Sequence, residues 1–109
     1  MQIAYAMAEL RWPSELSKPF RSGRFCTPAH FENDAQTSWS FYVWFDQPIN
    51  PGEVVTVPIT PLVSEAAEKL LLPGAKFRLF LKPDLYASGR VVTVSEVSEQ
   101  DLRCVFHFC

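Results

Sequence analysis

The sequence has few of the features that indicate a disulfide framework, a nucleic-acid-binding protein or a membrane span. Its three cysteines, an odd number, favour free thiols over paired disulfides. Ten Lys and Arg residues against twelve Asp and Glu give a formal charge of −2, which disfavours binding to RNA or DNA. No apolar run approaches the roughly 18 residues that a membrane-spanning helix needs.

Sequence motifs for nucleotide binding, zinc binding and secretion are also missing. The sequence has no Gly-x-x-x-x-Gly-Lys-Ser/Thr loop for a nucleotide phosphate and no Cys-x-x-Cys pair typical of a zinc site. Its first twelve residues lack the charged start and long apolar core of a secretory signal. We therefore expect a soluble, cytoplasmic protein that uses no nucleotide or other cofactor and does not bind a membrane.

The 109 residues are enough for one domain, and their apolar positions mostly follow the period of a β-strand. In residues 38–45, an inward set alternates with an outward set. The inward set is Trp39, Phe41, Val43 and Phe45, and the outward set is Ser38, Ser40, Tyr42 and Trp44. Residues 90–97 and 102–108 alternate in the same way, so the latter predicts an additional C-terminal strand.

Two Pro-Gly pairs, Pro51-Gly52 and Pro73-Gly74, predict type II turns, because Pro fixes φ near −65° and Gly accepts a positive φ. A strand in the same phase follows each turn. The expected inward residues are Val55, Val57 and Ile59 after the first turn, and Phe77, Leu79 and Leu81 after the second. Gly89 predicts a bulge or a close backbone approach.

Residues 63–71 have helical spacing instead, which predicts one short helix. Six or seven antiparallel strands with one helix predict a mainly β fold, a small closed antiparallel β-barrel, because closure removes exposed strand edges. A β-sandwich is the alternative. We expect residues 1–109 to form this single domain.

The order of these features resembles the C-terminal (third) domain of bacterial elongation factor Tu, and in particular free-standing proteins built from that domain. The resemblance covers residues 2–97. It rests on the segments Lys18-Pro19-Phe20, Pro28-Ala29-His30-Phe31, Pro51-Gly52-Glu53-Val54-Val55, Pro73-Gly74-Ala75-Lys76-Phe77-Arg78-Leu79 and Ala87-Ser88-Gly89-Arg90-Val91-Val92. It implies a six-stranded antiparallel barrel without catalytic residues that binds protein partners or aminoacyl-tRNA.

The side chains that could support metal or nucleophilic chemistry favour a structural role. The possible ligands are Cys26, His30, Cys104, His107 and Cys109, but their spacing is not that of a zinc site. We interpret the cysteines as buried or edge thiols and the histidines as surface residues. As a nucleophile and its base, Cys26 and His30 lack a third group to orient the histidine. As acid–base residues, Glu32 and Asp34 are better explained by a solvated turn. We therefore expect no metal and no enzymatic activity.

Two sets of residues are candidates for partner binding. The outward aromatic residues Tyr42, Trp44 and Phe80 would form an interface unless the short helix or the C-terminal strand covers them. The acidic residues are Glu96, Glu99 and Asp101, which a solvated loop would also explain.

These sets lead to two functional hypotheses. The first is a non-catalytic module that binds a protein, with tRNA or another RNA disfavoured by the net charge. The second is an immunity-type or antitoxin-type inhibitor of a basic nuclease toxin, since complementary charge speeds encounter between such partners.

Overall fold

The computed structural model describes residues 2–15, 23–34, 38–62, 70–82 and 85–106. Within these ranges six strands close into an antiparallel barrel, which confirms the predicted fold class. The elements are β1 (Gln2–Arg11), β2 (Gly23–Phe31), a 3-10 turn (Glu32–Asp34), β3 (Ser38–Phe45), β4 (Val54–Pro61), β5 (Lys76–Lys82), β6 (Leu85–Ser98) and helix α1 (Glu99–Val105).

Three of the six pairs of neighbouring strands in the barrel are consecutive in the sequence, and the pairs β1-β4, β2-β5 and β1-β6 are not. The order around the barrel is β1-β4-β3-β2-β5-β6, and β6 pairs again with β1. Three strand steps separate β1 from β2 in either direction, so these two strands lie on opposite sides of the barrel.

The Pro-Gly turns have the predicted conformation. Gly52 and Gly74 have φ values of 79° and 87°. In the first turn the Glu53 N–H donates to the Asn50 carbonyl over 3.0 Å, and in the second the Ala75 N–H donates to the Leu72 carbonyl over 2.9 Å. These bonds between residues i+3 and i close both turns, and β4 and β5 begin immediately afterwards.

Apolar side chains from all six strands fill the barrel. Phe31 is central to the packing, since its ring stacks on Phe77 at a centroid distance of 4.7 Å and packs on Phe41 at 5.3 Å. Gly89 is buried beneath the ring of Phe77, the close approach expected there. The buried strand residues are Ala6, Ala8, Leu10, Ala29, Phe31, Phe41, Val43, Phe45, Val57, Ile59, Phe77, Leu79, Ala87 and Val91.

The predicted C-terminal strand is wrong for the residues that the structure describes, because Glu99–Val105 is helical. The Ser98 hydroxyl caps the helix by accepting the Asp101 N–H over 3.2 Å. Glu99 also lies in the first turn, where an acidic side chain stabilises the helix by interacting favourably with its dipole. The apolar pair Leu102 and Phe106 fits a helix as well as a strand, since residues four apart share a helix face.

Phe106 fixes this end of the chain to the outside of the barrel. It is fully buried, and its ring meets Tyr5 of β1 edge-on at a centroid distance of 6.4 Å. Helix α1 packs against β1 and β6. Most of the predicted helix at 63–71 lies outside the described residues, although its last two residues, Leu70 and Leu71, are buried.

Candidate docking surface

The three predicted aromatic residues all lie on the outside of the barrel and are partly buried. Tyr42 and Trp44 belong to β3 and Phe80 belongs to β5, with β2 between these two strands. Helix α1, which stands where the C-terminal strand is predicted, does not cover them, because it packs on β1 and β6. The other cover considered, the predicted helix at 63–71, lies mostly outside the described residues. The three side chains therefore share one outer surface, which spans the three strands β3, β2 and β5.

Strand β2 adds polar groups between the aromatic residues of β3 and β5. Its outward residue Cys26 is paired with Tyr42, and Arg24 is paired with Trp44. On the other side, the His30 ring lies 6.5 Å from the Phe80 ring. Register and ring contacts thus join β3, β2 and β5 into a single surface of mixed aromatic and cationic character.

Strand β6 extends this surface by one further aromatic residue. The Tyr86 ring meets Phe80 edge-on at 6.4 Å, and the Arg78 guanidinium lies 4.9 Å from the centre of the Tyr86 ring. The second distance is that of a cation–π contact. We call the combined surface the outer aromatic face, composed of Arg24, Cys26, His30, Tyr42, Trp44, Arg78, Phe80 and Tyr86.

A hydrogen bond between strands and the closure of the barrel fix the backbone beneath the outer aromatic face. The buried Thr27 side chain donates its hydroxyl hydrogen to the Phe80 carbonyl, which ties β2 to β5 next to the paired residues Ala29 and Leu79. A closed barrel has no free edge strand along which this region could be displaced. The aromatic side chains are thus presented from a fixed frame, which lowers the entropy lost on binding.

The acidic candidates lie away from the outer aromatic face. Glu96 is exposed near the end of β6, opposite Ala4 of β1. Glu99 and Asp101 are exposed in the first turn of α1, so the solvated loop considered for them is wrong, and Glu99 pairs with Arg103 at 3.8 Å. The predicted site residues consequently form two separate surfaces, one aromatic and one acidic.

The two described cysteines, Cys26 and Cys104, are exposed on a strand of the closed barrel and on α1, which corrects the expectation of buried or edge thiols. Cys26 lies on the outward side of β2, and Cys104 lies on α1. Cys26 and His30 are four residues apart on one strand, roughly 13 Å along it, too far for direct contact between their side chains. His107 and Cys109 lie outside the described residues.

Within the described ranges, no group of three or more His, Cys, Asp or Glu residues is arranged to hold a metal ion.

Sequence reasoning missed Tyr86 as a member of the surface. Its signal is present in residues 85–91, where Ala87, Gly89 and Val91 are buried and Tyr86, Ser88 and Arg90 are exposed. Period-two alternation therefore indicates the side of the sheet on which Tyr86 lies. Its proximity to Phe80 and Arg78 depends on the pairing of β5 with β6.

In the part of the chain that the structure describes, no helix has the length and apolar character needed to cross a bilayer. The chain matches no protein-family model, and a comparison with curated proteins found no significantly similar sequence.

Proposed function

We propose that the chain is a non-catalytic binding module, a β-barrel that resembles the third domain of elongation factor Tu and docks a protein partner. The outer aromatic face is the observation that carries this proposal. Aromatic residues and Arg are enriched in protein interfaces, and a few of them supply most of the binding free energy. Here four aromatic side chains, two arginines and a histidine share one outer surface of the barrel.

A protein partner suits the surface charges better than tRNA or another RNA. The whole chain has a formal charge of −2, whereas RNA binding depends on many cationic contacts to phosphates. Arg90, beside the outer aromatic face, is paired with Glu9 at 3.8 Å. We therefore rank RNA below a protein as the partner. If the chain bound RNA, the affinity would fall steeply with added salt.

Replacing Trp44 with Ala is the direct test of this function. Trp44 is half-buried, so the change removes interface area with little effect on the barrel core. We expect the complex recovered with tagged protein from a cell lysate to weaken by about 2 kcal/mol, the cost typical of a hot-spot residue. The affinity of the purified pair, measured by calorimetry, would fall roughly thirtyfold.

Glu99→Lys is the matched control for Trp44→Ala, because it changes a partner-site candidate on α1. It should leave the affinity unchanged. Loss of binding with Glu99→Lys, together with full binding by Trp44→Ala, would reject the outer aromatic face as the docking surface.

The second candidate function is an immunity-type or antitoxin-type inhibitor of a basic nuclease toxin. It is favoured by one observation, the exposure of Glu96, Glu99 and Asp101 near the β6–α1 junction. A basic partner would be attracted to such a surface, and the association rate constant would fall with ionic strength. The outcome with Glu99→Lys separates this function from the first.

A further inference from the structure

A row of polar side chains crosses the outside of four neighbouring strands. Strand register pairs Arg11 of β1 with Ser88 of β6, Ser88 with Arg78 of β5, and Arg78 with His30 of β2. Directly paired residues point to the same side of a sheet, so all four side chains face outward. Arg11, Ser88 and Arg78 are exposed, and His30 is partly exposed. We call these four residues the arginine row.

The two arginines of the row have charge available for a ligand. Among the described residues, neither Arg11 nor Arg78 is at ion-pair distance from a carboxylate, whereas Arg90 in the adjacent row is paired with Glu9. The Arg78 guanidinium lies against the Tyr86 ring, and this contact does not neutralise its charge. Ser88 adds a hydroxyl between the two arginines.

Surface cavities lie on both sides of the middle of this row. One, of about 550 Å³, is lined by Arg11, Tyr86 and Ser88 among others. The second, of about 460 Å³, is lined by His30, Arg78, Tyr86 and Ser88 among others. Tyr86 and Ser88 line both cavities, so they lie between the two, and one arginine lines each cavity.

We propose that the arginine row binds an acidic, extended segment of the partner protein, an inference that rests on the proposed docking function. One carboxylate of the segment pairs with Arg11 and a second pairs with Arg78, while an apolar side chain between them packs on Tyr86. Arg11 and Arg78 are two strand spacings apart, about 10 Å between backbones. Extended chain advances about 3.3 Å per residue and alternate residues face the same side, so acidic residues four positions apart, about 13 Å, can flank an apolar residue on that side within reach of the long arginine side chains.

The acidic groups around the row favour a peptide over a nucleic acid. Glu15 lines the first cavity, Glu32 lines the second, and Glu9 lies in the next row. A strand of closely spaced phosphates would pass near these carboxylates and be repelled. A peptide with two separate carboxylates can contact the two arginines and stay clear of these glutamates.

The test is selection of short random peptides displayed on phage, using the folded full-length protein as bait. We expect the enriched peptides to contain paired acidic residues around an apolar one. Synthetic copies should bind about tenfold to one-hundredfold more weakly to Arg11→Glu or Arg78→Glu, because each variant loses a charge-assisted pair and adds repulsion. Arg103→Glu on α1 makes the same charge change elsewhere and should leave binding unaltered.

Several outcomes would overturn the inference. These are the enrichment of no peptide, the enrichment of peptides without paired acidic residues, binding to Arg11→Glu and Arg78→Glu that is as tight as to the unchanged protein, or tighter binding of a single-stranded RNA oligonucleotide than of the acidic peptide. If the lysate partner is lost with Trp44→Ala but retained by Arg78→Glu, the docking function stands and the acidic-segment inference fails. If both variants retain the lysate partner, the docking function and the acidic-segment inference are both rejected.

Discussion

Replacing Phe31 with Ala should lower the free energy of unfolding by about 3 to 5 kcal/mol, the range for truncating a buried Phe. The Phe31 side chain is only 1% exposed. Its ring contacts Phe77 of β5 and Phe41 of β3, so its removal leaves a cavity between three strands of the barrel. Unfolding in guanidinium chloride, followed by tryptophan fluorescence, gives the free energy directly.

Val92→Ala provides the comparison for Phe31→Ala. Val92 lies on β6 with 41% of its surface exposed, so its truncation should change the free energy of unfolding by less than about 0.5 kcal/mol. A loss below about 1 kcal/mol for Phe31→Ala would contradict the packing described here, since a cavity of that size is costly in a closed core.

Gly89→Ala should cost up to about 3 kcal/mol, although it adds a single methyl group. A Cβ atom at Gly89 would lie closer than 3.0 Å to three atoms of the Phe77 ring. The ring itself stacks on Phe31, so it cannot move away without disturbing the core. The φ angle of Gly89 is outside the left-handed region, so the cost arises from the ring contact and not from backbone strain.

A double-mutant cycle with Phe77→Leu tests the cause of this cost. In the Phe77→Leu background the methyl group of Gly89→Ala has room, and the added loss should fall below about 1 kcal/mol. Thermal or denaturant unfolding of the four proteins in the cycle gives the coupling. Equal losses in both backgrounds would mean that the Phe77 ring is not the obstacle.

These packing contacts matter for function because they position the outer aromatic face. Phe77 is flanked in β5 by Lys76 and Arg78, and Gly89 is flanked in β6 by Ser88 and Arg90. Since successive strand residues point to opposite sides, the buried pair fixes where its exposed neighbours lie. A variant that shifts Phe77 or Gly89 should therefore alter binding as well as stability.

The strands and turns of the barrel could be predicted because local signals agree. The type II turns require a residue with positive φ, and Gly52 and Gly74 provide it. The apolar residues that alternate after each turn lie on the side of the strand that faces the core. The outward positions of Tyr42, Trp44 and Phe80 follow from the same period.

The C-terminal segment was predicted wrongly because two periods fit the same residues. Leu102, Cys104 and Phe106 alternate, but Leu102 and Phe106 are also four apart. The deciding signal is local and precedes them. Ser98 with Asp101 three positions later has the form of a helix cap, which outweighs a short alternation.

Most neighbours within the candidate site could not be predicted from the sequence. Arg11 and Arg78 are 67 positions apart, and they lie in one row only because β6 lies between β1 and β5. No local pattern specifies that β1 pairs with β4 and β6 or that β2 pairs with β5. The exposure of Cys26, by contrast, follows from alternation within β2, since Ala29 and Phe31 on the other side of the strand are buried.

The exposed thiols of the two described cysteines allow one measurement that distinguishes the two faces. Cys26 lies within the outer aromatic face, and Cys104 lies on α1, across the barrel from β2. In the Cys109→Ser variant, the alkylation rate of each thiol is measured with and without the protein partner recovered from lysate. We expect the partner to slow alkylation of Cys26 and to leave that of Cys104 unchanged. Protection of Cys104 with Cys26 still reactive would contradict docking through the outer aromatic face.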